Sequence, residues 1–381
     1  MLAVCGNCPH AVGGFALAAH PVSSLRTHSR AVAPAPLPPA ASLRGVRAPG
    51  LLALDLEVAA GERLALLGAG SAAVLDLLAG FARPSAGEVL LDGRPASGVV
   101  PHRRGLGLVL RDDGPLPHMT VAGTLGFALG GRGGEAAVAA MMQTFGLAGL
   151  GDRRAGDLSP EQRVRAALAR ALAGQPRLVL LDEPFAGLDP VARESVLGDL
   201  LPALAGAACL LATCDPAVAL ALGGRAAVLE AGALLQVGPV QELYERPATE
   251  RVARLLGEAN CLPGRVEGVE DGVALVRLAC GLRVETDAAG AVPDQPCLVF
   301  LRPERIAVAA GTAGEMGEGA LAATVTALSA RGDHVRLTLT LGEENPATLL
   351  VTRPIGAPLA GLAPGQRAAI AWQPRHASLL K

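Results

Sequence analysis

Between Arg177 and Asp189 the chain reads Arg-Leu-Val-Leu-Leu-Asp-Glu-Pro-Phe-Ala-Gly-Leu-Asp. The apolar residues Leu178 to Leu181 follow one another without alternation, so both faces of the segment need cover, as in a central strand of a parallel sheet. Asp182 and Glu183 end the run, and a turn follows. Open α/β folds take their ligands beyond the carboxyl ends of such strands. There Asp182 and Glu183 present two adjacent carboxylates to a ligand. An isolated Leu-rich strand ending in Asp-Glu-Pro also serves as a plain structural turn, so the neighbouring segments decide the reading.

At 381 residues the chain has room for two domains and a tail. A formal net charge of -2 gives no electrostatic preference for nucleic acid. One Trp, one Tyr and six Phe leave little for base stacking, so no nucleic-acid partner is expected. The seven cysteines lack the paired spacing of a secreted disulfide framework and read as reduced thiols of a cytosolic protein. Cys5 and Cys8 form an isolated CxxC without a second half. No stretch is long and apolar enough for a transmembrane helix: Met1 to Leu25 is broken by Pro9 and Pro21, and Leu200 to Cys214 contains Pro202.

Residues 1–41, rich in Ala, Pro and His, read as a disordered lead-in or a misplaced start. Two strand-like segments follow as a pair, Leu51 to Val58 and Arg63 to Leu67, divided by a turn at Ala60-Gly61-Glu62. Residues Met119 to Leu172 are largely helical in pattern. A helix near Pro190 to Leu204 and an apolar strand, Ala208 to Thr213, come after the acidic strand end. Beyond about Arg251 short Val/Leu-rich strands alternate with Gly, Asp and Pro, as in Val273 to Leu278 and Val335 to Leu341. That is the composition of a small β-barrel, and the change marks a domain boundary at 250/251.

Taken in order, these landmarks resemble the nucleotide-binding subunit of ABC transporters, with Leu178 to Asp182 as the Walker B strand and Ala186 to Asp189 as the following D-loop. Leu235-Gln236-Val237-Gly238 and Glu242 to Pro247 look like the segment that closes that domain in importers. Gly257-Glu258-Ala259-Asn260, Leu301-Arg302-Pro303-Glu304, Gly332-Asp333-His334-Val335 and Trp372-Gln373-Pro374 resemble the C-terminal OB-like module of polyamine- and iron-type importer ATPases. The resemblance implies a RecA-like α/β P-loop core with a helical subdomain over residues 42–250, then a small all-β OB-like domain over 251–381. It also implies ATP and magnesium as cofactors, ABC permease subunits as partners, and a second ABC ATPase subunit in a homo- or heterodimer. The location it implies is cytoplasmic, peripheral on the inner face of the plasma membrane. Residues near Leu116 to Leu129, including Pro117-His118-Met119-Thr120, would face the permease.

Within that likeness the nucleotide chemistry is depleted. A P-loop needs a Gly-rich turn, a Lys for the β- and γ-phosphates, and a Ser/Thr hydroxyl on magnesium. The matching segment is Leu66-Leu67-Gly68-Ala69-Gly70-Ser71-Ala72-Ala73-Val74, with Ser71 where the Lys belongs and Ala72-Ala73 in place of Ser-Thr. The loop is roughly three residues shorter than the phosphate-cradling pattern requires. No Lys or Arg lies between Arg63 and Arg83, and Lys381 is the only lysine in the chain. Arg111 stands at the Q-loop Gln, and a guanidinium cannot ligate a cation. The signature loop reads Leu158-Ser159-Pro160-Glu161-Gln162. Here Pro160 lacks an N–H, and Glu161 places a carboxylate where a partner's γ-phosphate would sit. Cys214 replaces the switch His.

By resemblance, then, the candidate site comprises catalytic Glu183, metal-binding Asp182, and a degenerate nucleotide set of Gly68, Gly70, Ser71, Ala72, Ala73, Arg111, Ser159, Gln162, Asp189 and Cys214. Arg111 and Cys214 read as inert replacements, and Asp112-Asp113 as a solvated loop. The reading is the ATP-binding subunit of an import complex with impaired hydrolysis; the alternative is a catalytically dead pseudo-ATPase serving as a regulatory or structural partner.

Overall fold

The computed structural model describes residues 37–111, 118–312, 319–357, 359 and 361–380. The lead-in before residue 37, with Cys5 and Cys8, and the Asp112-Asp113 pair lie outside them. The first domain runs β1 (Ala41–Ala48), β2 (Leu51–Val58), β3 (Arg63–Gly68), α1 (Ser71–Ala79), β4 (Ala86–Leu91), β5 (Arg94–Pro95), β6 (Gly107–Val109), α2 (Val121–Leu129), α3 (Gly134–Thr144) and α4 (Pro160–Ala173). It continues through β7 (Leu178–Asp182), α5 (Pro190–Ala203), β8 (Ala208–Ala212), α6 (Pro216–Leu222), β9 (Arg225–Glu230), β10 (Ala233–Pro239), α7 (Val240–Glu245) and α8 (Glu250–Leu255).

Strand order in the central sheet is β10-β9-β3-β8-β7-β6, parallel except for the β9–β10 edge. The uninterrupted apolar run of β7 is explained by its place between β6 and β8. Leu178 and Leu180 enter the core beneath α1, whereas Val179 and Leu181 enter the core shared with α4, α5 and α6. Burying a Leu or Val side chain is worth about 1.5–3 kcal/mol, so a strand filled on both faces anchors the residues that end it.

An antiparallel sheet of order β2-β1-β4-β5 covers the α1 side. Two sequence expectations change here. The segments Leu51 to Val58 and Arg63 to Leu67 are both strands but do not pair, since β2 joins β1 while β3 enters the parallel sheet. Ala40 and Ala41, assigned from composition to the lead-in, are buried in the core, and Ala41 opens β1.

The second domain carries β11 (Asn260–Glu270), β12 (Val273–Leu278), β13 (Arg283–Asp287), β14 (Pro296–Leu301), β15 (Ala307–Ala310), β16 (Leu321–Ala330), β17 (His334–Leu341), β18 (Ala347–Pro354), β19 (Arg367–Ala371) and β20 (Ala377–Leu380). They form two five-stranded antiparallel sheets, β13-β12-β11-β14-β20 and β15-β19-β16-β17-β18, around one apolar core. Strict alternation in β17, with Val335, Leu337, Leu339 and Leu341 buried, is the period-2 pattern of a half-buried strand. The fold is thus mixed α/β followed by an all-β unit consistent with an OB-like domain.

Arg302 pins the two domains together. It is 2% exposed. Its Nε donates to the Tyr244 carbonyl at 3.0 Å, and its Nη1 donates to the Ala253 and Glu258 carbonyls at 3.0 and 2.9 Å. The guanidinium stacks on the Tyr244 ring, 3.9 Å from its centroid, and lies near Phe300.

Candidate functional site

The carboxyl ends of β3, β8 and β7 lie side by side and are laced together by backbone bonds. Thr213 N–H donates to the Leu66 carbonyl at 3.0 Å, and Glu183 N–H donates to the Ala212 carbonyl at 2.9 Å. Gly68, Asp182, Glu183 and Cys214 therefore share one edge.

At that edge the connection from β3 to α1 is only Ala69 and Gly70. Gly68 has φ +92 and Gly70 φ +113, in the left-handed region that glycine tolerates. Both also make close approaches. A Cβ on Gly68 would lie 2.0 Å from the Leu229 carbonyl oxygen, and one on Gly70 would lie 3.2 Å from Leu51 Cδ2 and 3.3 Å from the Gly50 oxygen. The loop thus packs straight onto the β1–β2 turn instead of arching outward. The Ser71 hydroxyl donates back to the Gly68 carbonyl at 2.8 Å and tightens it. Helix α1 begins with no side-chain cap and no acidic residue in its first turn. The amides near exposed Ala72 and half-buried Ala73 keep the positive helix end, a weak attraction for any anion.

Glu183 adopts φ +46, an uncommon conformation for a non-glycine residue and one that costs of order 1–3 kcal/mol. Its carboxylate is held by its own chain. Cys214 N–H donates to Oε1 at 2.6 Å and the Thr213 hydroxyl to Oε2 at 3.2 Å. Arg111 Nη2 lies 3.8 Å from Oε1, with the Glu183 side chain 13% exposed. Arg111 and Cys214, read from the sequence as inert replacements, both face the Glu183 carboxylate. The Cys214 thiol is pushed above its ordinary pKa by its hydrogen bond to Glu183, then by burial and the Glu183 charge, while Arg111 opposes the rise. Among the described residues no group of three or more His, Cys, Asp or Glu side chains is placed to hold a metal.

The signature segment is equally self-contained. The Gln162 amide donates to Ser159 Oγ at 3.2 Å, and the Ser159 amide donates to Gln162 Oε1 at 3.1 Å, a capping box at the start of α4. Arg163 N–H takes the Ser159 carbonyl, and Pro160 has no N–H. Glu161 turns along the helix, its carboxylate 2.9 Å from Arg165 Nε. Arg165, 7% exposed, also contacts Asp199 and donates to the Ser195 hydroxyl at 2.8 Å and the Phe145 carbonyl at 3.2 Å. Asp189 caps α5, its Oδ1 accepting from Val191 and Ala192 N–H, both at 2.9 Å.

Between these parts lies a cavity of about 340 Å³ lined by Arg111, Pro160, Arg163 and Pro184 among others. It brings the Q-loop position, the start of α4 and the turn after Glu183 to one space. Thr213 is the site residue that sequence reasoning missed. Its signal was its place beside Cys214 at the end of an apolar strand.

Residues 51–186 match the ABC transporter family model, and residues 299–380 match the TOBE domain. The chain is 34% identical over 340 residues to the spermidine/putrescine import ATP-binding protein PotA of Rubrobacter xylanophilus, covering 86% of this chain and 88% of that protein. The chain belongs to the ABC transporter ATP-binding family. This ABC chain is also 37% identical over 282 residues to the Fe(3+) ions import ATP-binding protein FbpC of Mesorhizobium japonicum, covering 70% of it and 73% of the relative. To the putrescine transport ATP-binding protein PotG of Escherichia coli it is 36% identical over 266 residues, covering 66% and 70%. Among the described residues of this ABC chain, no helix is long and apolar enough to cross a membrane.

Proposed function

We propose that the chain is the ATP-binding-type subunit of an import complex whose own MgATP site is impaired. Its place is at the inner membrane face, against permease subunits and a second ATPase-type subunit, identical or intact. The relatives' import activities and the TOBE module support the assignment to a complex. The observation that carries the impairment is the connection of Ala69 and Gly70 between β3 and α1, which has neither the span nor the cation of a phosphate cradle.

The residues present fit MgATP poorly. Hydrogen bonds to charged groups contribute ~1.5–3 kcal/mol each, so losing the lysine and a metal-bound hydroxyl weakens binding on the order of 10²-fold or more. The test is calorimetric titration of the purified protein with MgATP, with Glu183→Gln alongside. Absence of saturable binding at millimolar nucleotide is expected. Micromolar, magnesium-dependent binding would overturn the reading.

A wholly inactive partner subunit is favoured by one further observation. Ser159 and Gln162 spend their groups on capping α4, and Glu161 on Arg165, leaving little to offer a nucleotide held by a second subunit. ATP hydrolysis by the reconstituted complex, compared with and without this chain, separates the two readings.

A further inference from the structure

Where α7 meets the β domain there is a cavity of about 280 Å³ lined by Glu245, Arg246, Arg302, Arg305, Arg375 and His376. That volume lies just below the roughly 300–1,000 Å³ of drug-sized ligand pockets and suits a smaller ligand. Its walls come from both domains: the end of α7, the turn Pro303–Arg305 and the turn Pro374–His376.

The charges do not balance within the wall. Arg305 pairs with Glu245 at 3.1 Å, and Arg246 pairs with Asp287 at 3.1 Å. Glu304 is engaged by the Tyr244 hydroxyl at 2.7 Å. Arg302 spends Nε and Nη1 on carbonyls, and its Nη2 has no hydrogen-bond partner. Arg375 is exposed and forms no ion pair among the described residues. Four guanidiniums thus face the carboxylates of Glu245, Asp287 and Glu304, with His376 beside them. Guanidiniums bind oxyanions through paired, charge-assisted N–H bonds, so a convergent group of them selects a tetrahedral or carboxylate-like anion.

We propose that this junction pocket is a binding site for a small phosphate-class anion, free phosphate or a phosphate monoester, held by Arg305, Arg375 and His376. The anion ties the turn Pro303–Arg305 to the turn Pro374–His376 beside the end of α7 and so stiffens the second domain's side of the junction. The pocket shares no residue with the β3–α1 edge, and the inference stands apart from the nucleotide reading. His376 adds a built-in reporter. Burial, and then Arg305 and Arg375, hold its imidazole below the ordinary range against the opposing charge of Glu245, and an anion between the arginines adds to the upward pull.

The experiment is calorimetric titration of the full chain, without nucleotide, using inorganic phosphate and a phosphate monoester against chloride at matched ionic strength. Saturable binding of either is expected, and the tighter of the two identifies the source. Arg375→Gln and Arg305→Gln should each weaken it about 10-fold or more, as loss of a charge-assisted contact predicts, whereas Arg94→Gln on the remote edge strand leaves it unchanged. Arg375→Gln disturbs no ion pair, so its folding is secure. The imidazole signal that His376→Gln removes should titrate at higher pH when phosphate is present. Equal responses to phosphate and chloride, or phosphate binding indifferent to both arginine variants, would overturn the proposal.

Discussion

Replacing Arg302 with Met keeps most of the aliphatic volume and deletes every polar contact of the guanidinium. Three charge-assisted bonds are lost, to the carbonyls of Tyr244, Ala253 and Glu258. At ~1.5–3 kcal/mol apiece the gross loss is about 5–9 kcal/mol. The stack on Tyr244 adds of order 2 kcal/mol for a desolvated cation. Against this stands relief of the desolvation that holds the Arg302 pKa below its usual value. Effective burial penalties are several kcal/mol per ion. The balance is a net destabilisation of about 3–5 kcal/mol, in the range seen when one partner of a buried charge network is removed. Because the lost bonds run from the residue after β14 to α7, α8 and the connection that follows α8, the effect should fall on the coupling between domains. Scanning calorimetry should show the single cooperative transition split in two, the β-domain part at lower temperature. Arg254→Met, which breaks only the exposed pair with Glu250, should cost no more than about 0.5 kcal/mol. If Arg302→Met shifts stability no more than Arg254→Met does, Arg302 is not the pin described here.

Gly68→Ala places a Cβ against the Leu229 carbonyl oxygen at a strained φ and should cost upwards of about 3 kcal/mol in urea unfolding, or prevent soluble expression. Ser159→Ala removes the cap of α4 and should lower the unfolding free energy by ~1 kcal/mol in urea titration. Alkylation of Cys214 should be slow at pH 8 and accelerate as pH rises, because its protonated thiol is the form that Glu183 stabilises. Glu183→Ala removes the first cause of the raised pKa, so the same reaction should speed up at pH 8; an unchanged rate would refute the contact.

The parts of the fold written in side-chain periodicity were legible before the coordinates. Strands β7, β12 and β17 lie where apolar runs or alternation place them, and α5 starts at Pro190 behind its Asp cap. β1 was hidden because Ala40 and Ala41 continue an Ala/Pro-rich composition, and their burial depends on partners in β2 and β4 remote in sequence. The adjacency of β2 and β3 suggested a pair, but the register of a sheet is decided by tertiary contacts rather than by neighbours along the chain. In the site, residue identities indicated what is missing but not what replaces it. The grip on Glu183 comes from the Cys214 amide, and a backbone donor leaves no mark in residue type. The Glu161–Arg165 pair, by contrast, has helical i,i+4 spacing and was readable in principle.

The brevity of the β3–α1 turn also bears on reversibility. Substituting lysine at Ser71 and hydroxyl residues at Ala72 and Ala73 would supply the lost functional groups, yet Ala69 and Gly70 would still hold the backbone flat against Leu51, Gly50 and Gly232. A longer phosphate-cradling turn at this edge would need added chain length and a displaced β1–β2 turn, which substitutions at Ser71, Ala72 and Ala73 alone do not supply.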